Sequence, residues 1–143
     1  MAHPQQFQFI ESVKNNYNSY FTNKCVLEVG SLNINGSVRQ FFNHCAYLGV
    51  DLGIGPDVNL VAYGHTLDFR DDAFETSISC ECFEHDKYWE STFKNMVRMS
   101  SKLVLFTCAT TGRAEHGTTQ TNPFDAPFTN DYYRNLTEED FRN

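Results

Sequence analysis

A chain of 143 residues is the size of one domain and can bury roughly 70% of the surface its unfolded form exposes. An apolar content of 41%, with 13 Phe and 7 Tyr, excludes a disordered chain, and no run approaches the ~20 apolar residues that cross a bilayer. Eighteen acidic against eleven basic residues leave a net charge of −7, the wrong sign for capturing a nucleic-acid backbone.

The first element is read from Phe9, Ile10, Val13, Tyr17, Tyr20 and Phe21, whose spacing of three to four marks one face of an amphipathic helix within residues 1–23. Cys25-Val26-Leu27-Glu28-Val29 is a short β-rich run ending at Gly30, and Ala46-Tyr47-Leu48-Gly49-Val50 is a second ending at Asp51. Between them Val38, Phe41 and Phe42 predict a helical crossover, giving strand, turn, helix, strand. Val58 to Ala62 predicts a third strand, although the link from Asp51 is shorter than parallel crossovers usually need. Thr76 to Cys80 reads as a fourth, more polar strand, and Trp89, Phe93, Met96 and Val97 as the buried face of a following helix. Lys102 to Thr107 is the fifth and most apolar strand. The segment 109–143 reads as a long loop rich in Thr, Gly, Pro and Asn, then a helix started by Thr137-Glu138-Glu139-Asp140 and left incomplete. Alternating strands and helices predict a single doubly wound, mainly parallel α/β sheet of about five strands.

The chemistry concentrates at strand ends. Glu28 stands two positions before Gly30 at the end of the first strand, whereas dinucleotide-binding loops place glycines first and the acid about twenty residues later. An early carboxylate suits a ligand carrying an ammonium and a sulfonium rather than a pyrophosphate. Gly30 permits close backbone approach. Asp51, ending the second strand, is placed to accept hydrogen bonds from ribose hydroxyls.

With these features the chain resembles the class I S-adenosylmethionine-dependent methyltransferases, and within them the type 11-like methyltransferase domains, from about Lys24 to Phe141. The resemblance implies that Glu28, Gly30 and Ser31 form the first cofactor motif, with Glu28 at the methionine end. It further implies that Asp51 and Leu52 bind ribose and pack on adenine, that Gly64 and His65 flank adenine, and that Cys80 faces the cofactor. Ser79-Cys80-Glu81-Cys82-Phe83-Glu84-His85 is similar to that family's Glu-His signature, which would direct His85 at the substrate as a proton acceptor. The loop Gly30-Ser31-Leu32-Asn33-Ile34-Asn35-Gly36 departs from a tight Gly-x-Gly-x-Gly. Tyr63 stands where an acid or amide commonly meets adenine, and Met99-Ser100-Ser101-Lys102 replaces the Pro-Gly-Gly turn. Family members also continue through two further strands, which are not expected within these 143 residues.

The resemblance implies methyl transfer to an unidentified acceptor, a small molecule or glycan; the alternative is a non-catalytic, regulatory module that only binds the cofactor. Glu81 and Glu84 could pair as acid and base or simply be polar residues leaving a strand. Phe124, Phe128, Tyr132 and Tyr133 could line an acceptor pocket or cover the sheet. Cys80, Cys82, His85, Cys108 and His116 carry metal-ligand chemistry, but Cys-x-Cys lacks the two-residue knuckle spacing, so no metal is expected. Five cysteines without framework spacing and an N-terminus without a basic and apolar leader point to the cytoplasm. The fifth strand is expected to be a sheet edge that pairs with a second copy, with those four aromatics helping to cover it.

Overall fold

In the computed structural model, which describes residues 2–142, the chain forms a five-stranded parallel sheet of order β3-β2-β1-β4-β5. The strands are β1 (Cys25–Val29), β2 (Ala46–Asp51), β3 (Leu60–Val61), β4 (Phe74–Cys80) and β5 (Ser100–Thr107). The helices are α1 (Pro4–Asn16), α2 (Trp89–Met99) and α3 (Glu138–Arg142). The expected doubly wound order is present, with the direction of winding changing between β1 and β4.

A parallel sheet covered on both faces needs strands that are apolar on both sides, and β1 supplies them. Val26 points into one core with Ile10 of α1, Phe21, Val38, Ile78 and Leu105, while Leu27 and Val29 point into the other with Val50, Trp89, Met96, Met99 and Leu136. Each such fully buried side chain contributes about 1.5–3 kcal/mol. The more polar β4 is central because its hydroxyls find partners. Thr76 donates to the Tyr20 carbonyl and Ser79 to the Val29 carbonyl, both at 2.8 Å, and Ser77 meets Ser100 at 2.5 Å.

α1 begins where His3 accepts from the Gln6 amide and Pro4 occupies the first turn, where a missing amide costs nothing. It ends at Asn16, and Tyr20 and Phe21 belong to a separate 3-10 turn, Asn18–Phe21. The helix expected in the first crossover is a single 3-10 turn, Val38–Phe41, started by Ser37 accepting from the Arg39 amide. Phe42 already has extended backbone and stacks on Phe21 at 4.6 Å. β3 is shorter than the expected Val58 to Ala62: only Leu60 and Val61 pair, with Val50 and Asp51. The Thr137 start is realised as α3, whose Phe141 packs on Phe106 and Trp89.

Candidate functional site

The carboxyl ends of β1, β2 and β4 open onto a cavity of about 800 Å³. This is where parallel sheets bind ligands, since loops diverge there to either side of the switch point. Gly30 turns the chain away from β1 with φ +83°, and its amide donates to the Val50 carbonyl at 2.8 Å, tying the loop to β2. A Cβ there would come within 2.8 Å of Cys82, so the close passage of two strand-end loops requires glycine.

Asp51 is held at the end of β2 by two backbone donors, Leu32 at 2.8 Å and Leu52 at 2.7 Å. Burial raises its pKa against the lowering pull of those two bonds, and it lies on the cavity wall. Across the cavity Gly64 lies against Thr92 of α2, and the His65 ring packs on Tyr88 at 4.3 Å. Asp86 fixes this corner, accepting from the Tyr88 amide at 2.7 Å and from the Thr92 hydroxyl at 2.5 Å.

Seven of the residues singled out from sequence, Gly30, Asp51, Leu52, Gly64, His65, Cys80 and His85, line this one cavity. Glu28 and Ser31 do not. The Glu28 carboxylate accepts from the Tyr47 hydroxyl at 2.7 Å on the α1 side of the sheet, and burial pushes it up to about 7 despite that bond. Ser31 is buried beside Gly49, in the contact between the first loop and β2. Burial also raises the Cys80 thiol to about 12, which keeps it protonated and inert.

Sequence reasoning left open what the long loop does. Residues 125–132 form a wall of the cavity, and Phe128 lays its ring over Gly53 so closely that a Cβ there would stand 2.3 Å from it. Tyr132 also lines the cavity, while Tyr133 packs its ring on His85 and His116, so these residues lie at the site rather than over β5; Phe124, the fourth aromatic expected there, is exposed and covers neither. The lining carries Asp51, Glu81, Asp86, Asp125 and Asp131 against a single Lys87. Glu81 is paired outward, with His3 Nε2 at 2.5 Å and Arg113 at 3.4 Å.

Beside the cavity, Glu84, His85 and His116 converge. Burial, with Glu81 adding to it, pushes Glu84 up to about 7; burial and the neighbouring His116 pull His85 down to about 4. The five cysteines are unpaired, and none belongs to this cluster.

No protein-family model matches the chain, and no curated protein matches it in sequence. Solved structures do. The chain is similar to the 1,6-didemethyltoxoflavin-N1-methyltransferase of Burkholderia thailandensis, solved with 1,6-didemethyltoxoflavin and S-adenosylhomocysteine, at a TM-score of 0.58 and 14% identity over 98% of this chain and 76% of that one. It is similar to a SAM-dependent methyltransferase from Aquifex aeolicus at 0.53 and 9% identity, over 87% of this chain and 81% of that one. A candidate methyltransferase from an antibiotic biosynthesis pathway of Anabaena variabilis matches at 0.52 and 16% identity over 78% of this chain, which spans about half (49%) of that protein. With its sheet order, its cavity at the strand ends and these likenesses, the chain has the class I methyltransferase fold.

Proposed function

We propose that the chain binds S-adenosylmethionine in the cavity at its strand ends and transfers the methyl group to a small-molecule or glycan acceptor. The observation that carries this reading is Asp51, anchored at the end of β2 on the cavity wall with its carboxylate held by two amides. A carboxylate so fixed suits a ribose diol. The charge balance of the lining supports the same ligand: carboxylates attract a sulfonium and an ammonium and repel a pyrophosphate. The Burkholderia protein was solved with S-adenosylhomocysteine, which supports this choice.

In this reading Gly30 lets the methionine end approach the backbone, Leu52, Gly64 and His65 flank adenine, and Cys80 closes the floor. An acceptor lone pair forms the new bond to the methyl carbon in line with the breaking carbon–sulfur bond, whose electrons stay on sulfur. Catalysis is mainly proximity and orientation. His85, on the wall beside Tyr132, takes the proton the acceptor releases. Glu28 supports the loop from behind, through Tyr47. No helix among the described residues is long and apolar enough to cross a membrane, and the acceptor is taken to be met in the cytoplasm, without nucleic acid.

Thermal denaturation with S-adenosylhomocysteine and with NAD tests the cofactor. The expected result is a rise in Tm with the first alone; a rise with NAD alone would overturn the assignment. Product formation on a panel of hydroxylated and amine acceptors then separates an enzyme from a module that binds the cofactor without turnover.

A further inference from the structure

Glu84, His85 and His116 each offer one ligand atom, and the three lie within 4.8 Å of one another. Glu84 is fully buried, and neither carboxylate oxygen has a hydrogen-bond partner. A buried carboxylate left unpaired is costly, and native interiors normally avoid it. The approach of His116 Nε2 to Glu84 Oε1, 3.9 Å, is too long for a hydrogen bond and just inside the ~4 Å that two ligands with bonds of about 2 Å to one ion can span, so the side chains draw together on loading.

The surroundings orient these groups. His116 Nδ1 lies 3.1 Å from the Ala114 carbonyl, which can only accept, so the proton is on Nδ1 and the lone pair of Nε2 faces Glu84. His85 Nδ1 is buried without a partner. Tyr133 packs on both imidazoles, at 5.5 and 5.0 Å, and limits their rotation. Gly117, at φ +70°, brings the loop against His85, where a Cβ would stand 2.9 Å from Cε1.

We infer that Glu84, His85 and His116 form a binding site for a divalent first-row transition-metal ion at the edge of the cavity. Two imidazoles and one carboxylate, with no thiolate, suit zinc, iron or manganese better than calcium. Three protein ligands leave coordination positions for water or an acceptor oxygen, and His85 links the ion to the cavity. In the loaded protein His85 is a ligand and gives up the proton-acceptor role assigned to it above, which belongs to the metal-free protein. The inference goes beyond methyl transfer and does not depend on it, because the ion is titrated without cofactor.

The test is calorimetric titration of zinc into chelator-treated protein, followed by the same titration of Glu84→Gln and His116→Ala, each checked for native circular dichroism. The expected result is one ion per chain in the parent and at least tenfold weaker binding in each variant. Absence of stoichiometric binding, or affinity unchanged in both variants, would overturn the site, as would loss on Cys108→Ser alone. Should either variant fail to fold, the cobalt spectrum of the parent decides. Ligand-field bands without thiolate charge transfer support the site; their absence, or a thiolate band, refutes it.

Discussion

Glu28 and Asp51 are both acids at strand ends, and the fold gives them opposite surroundings. Asp51 has two amide donors and faces the cavity; Glu28 has one phenol and is enclosed by the sheet and α1. Asp51→Asn removes the charge that strengthens bonds to two hydroxyls and sets its NH2 against one of the two amides that now donate to the carboxylate. Adenosylhomocysteine should bind at least tenfold more weakly, since bonds to a charged group are worth ~1.5–3 kcal/mol. Unchanged calorimetric affinity in a folded variant would refute the ribose assignment. For Glu28 the consequence is stability. Its folded pKa of about 7 lies above the ordinary carboxyl value of 4.5, so the folded state holds its proton longer than the unfolded one. Its contribution is fully present below about pH 4.5 and is lost as pH rises through 7. Glu28→Gln should remove on the order of 3 kcal/mol of that decline. Urea denaturation at pH 5 and pH 7.5 measures it, and a parent and variant with equal differences between the two pH values would contradict the assignment.

The loop of residues 125–132 is the element that the cavity depends on most and the sequence described least. Phe128, Asn130 and Asp131 all have positive φ, between 54° and 70°, a conformation that costs a residue with a side chain about 1 kcal/mol or more. Phe128 accepts it to place its ring over Gly53, although half of that ring stays in solvent. Phe128→Gly exchanges the ring for backbone ease. Stability should stay within about 1 kcal/mol of the parent while adenosylhomocysteine affinity falls severalfold, because a wall is lost. A variant that binds as tightly as the parent would show that this loop has no part in the site. From the sequence Phe128 could line a pocket or cover the sheet, and the choice between the two follows only from contact with Gly53, seventy-five positions away. The strands were legible because Val26, Leu27, Val50 and Leu105 sit in β-rich runs bounded by turn residues. The first crossover was not: spacing of three between Val38 and Phe41 fits a single 3-10 turn as well as a helix. Gly30 and Asp51 could be named from their positions at strand ends, whereas Leu52, Gly64, His65, Cys80 and His85 followed only from the resemblance to the methyltransferases. Glu84 and His116 could not be joined, for they stand thirty-two positions apart with α2, β5 and loop between them, and only folding brings them together.

On the scale of the whole molecule, the sheet is buried on both faces but has a free side. β5 pairs with β4 from Ser100 to Thr107, and among the described residues no strand lies beyond it. The segment that follows does not pair with it: Phe141 of α3 covers Phe106 from one face, and of the four aromatic residues expected to shield the edge Phe128 and Tyr132 line the cavity, Tyr133 packs on His85 and His116, and Phe124 is exposed. Eight residues of unpaired backbone along Leu103, Val104, Leu105 and Phe106, interrupted by the charge of Lys102 alone, are a template for a further strand. Two copies that meet at β5 through a two-fold axis would each satisfy the other, with the strands antiparallel across the axis. The cavities open at the strand ends rather than along this edge, so each copy would keep its own site. The 143-residue chain should therefore sediment as a dimer at tens of micromolar, with β5 amides protected from exchange, and adenosylhomocysteine should bind one per chain. Ser101→Lys, at an exposed position of β5, adds a second charge to the edge and should shift the chain toward monomer with the site intact. Sedimentation of the parent as a monomer, with rapid exchange along β5, would refute pairing at this edge and leave the cofactor site untouched.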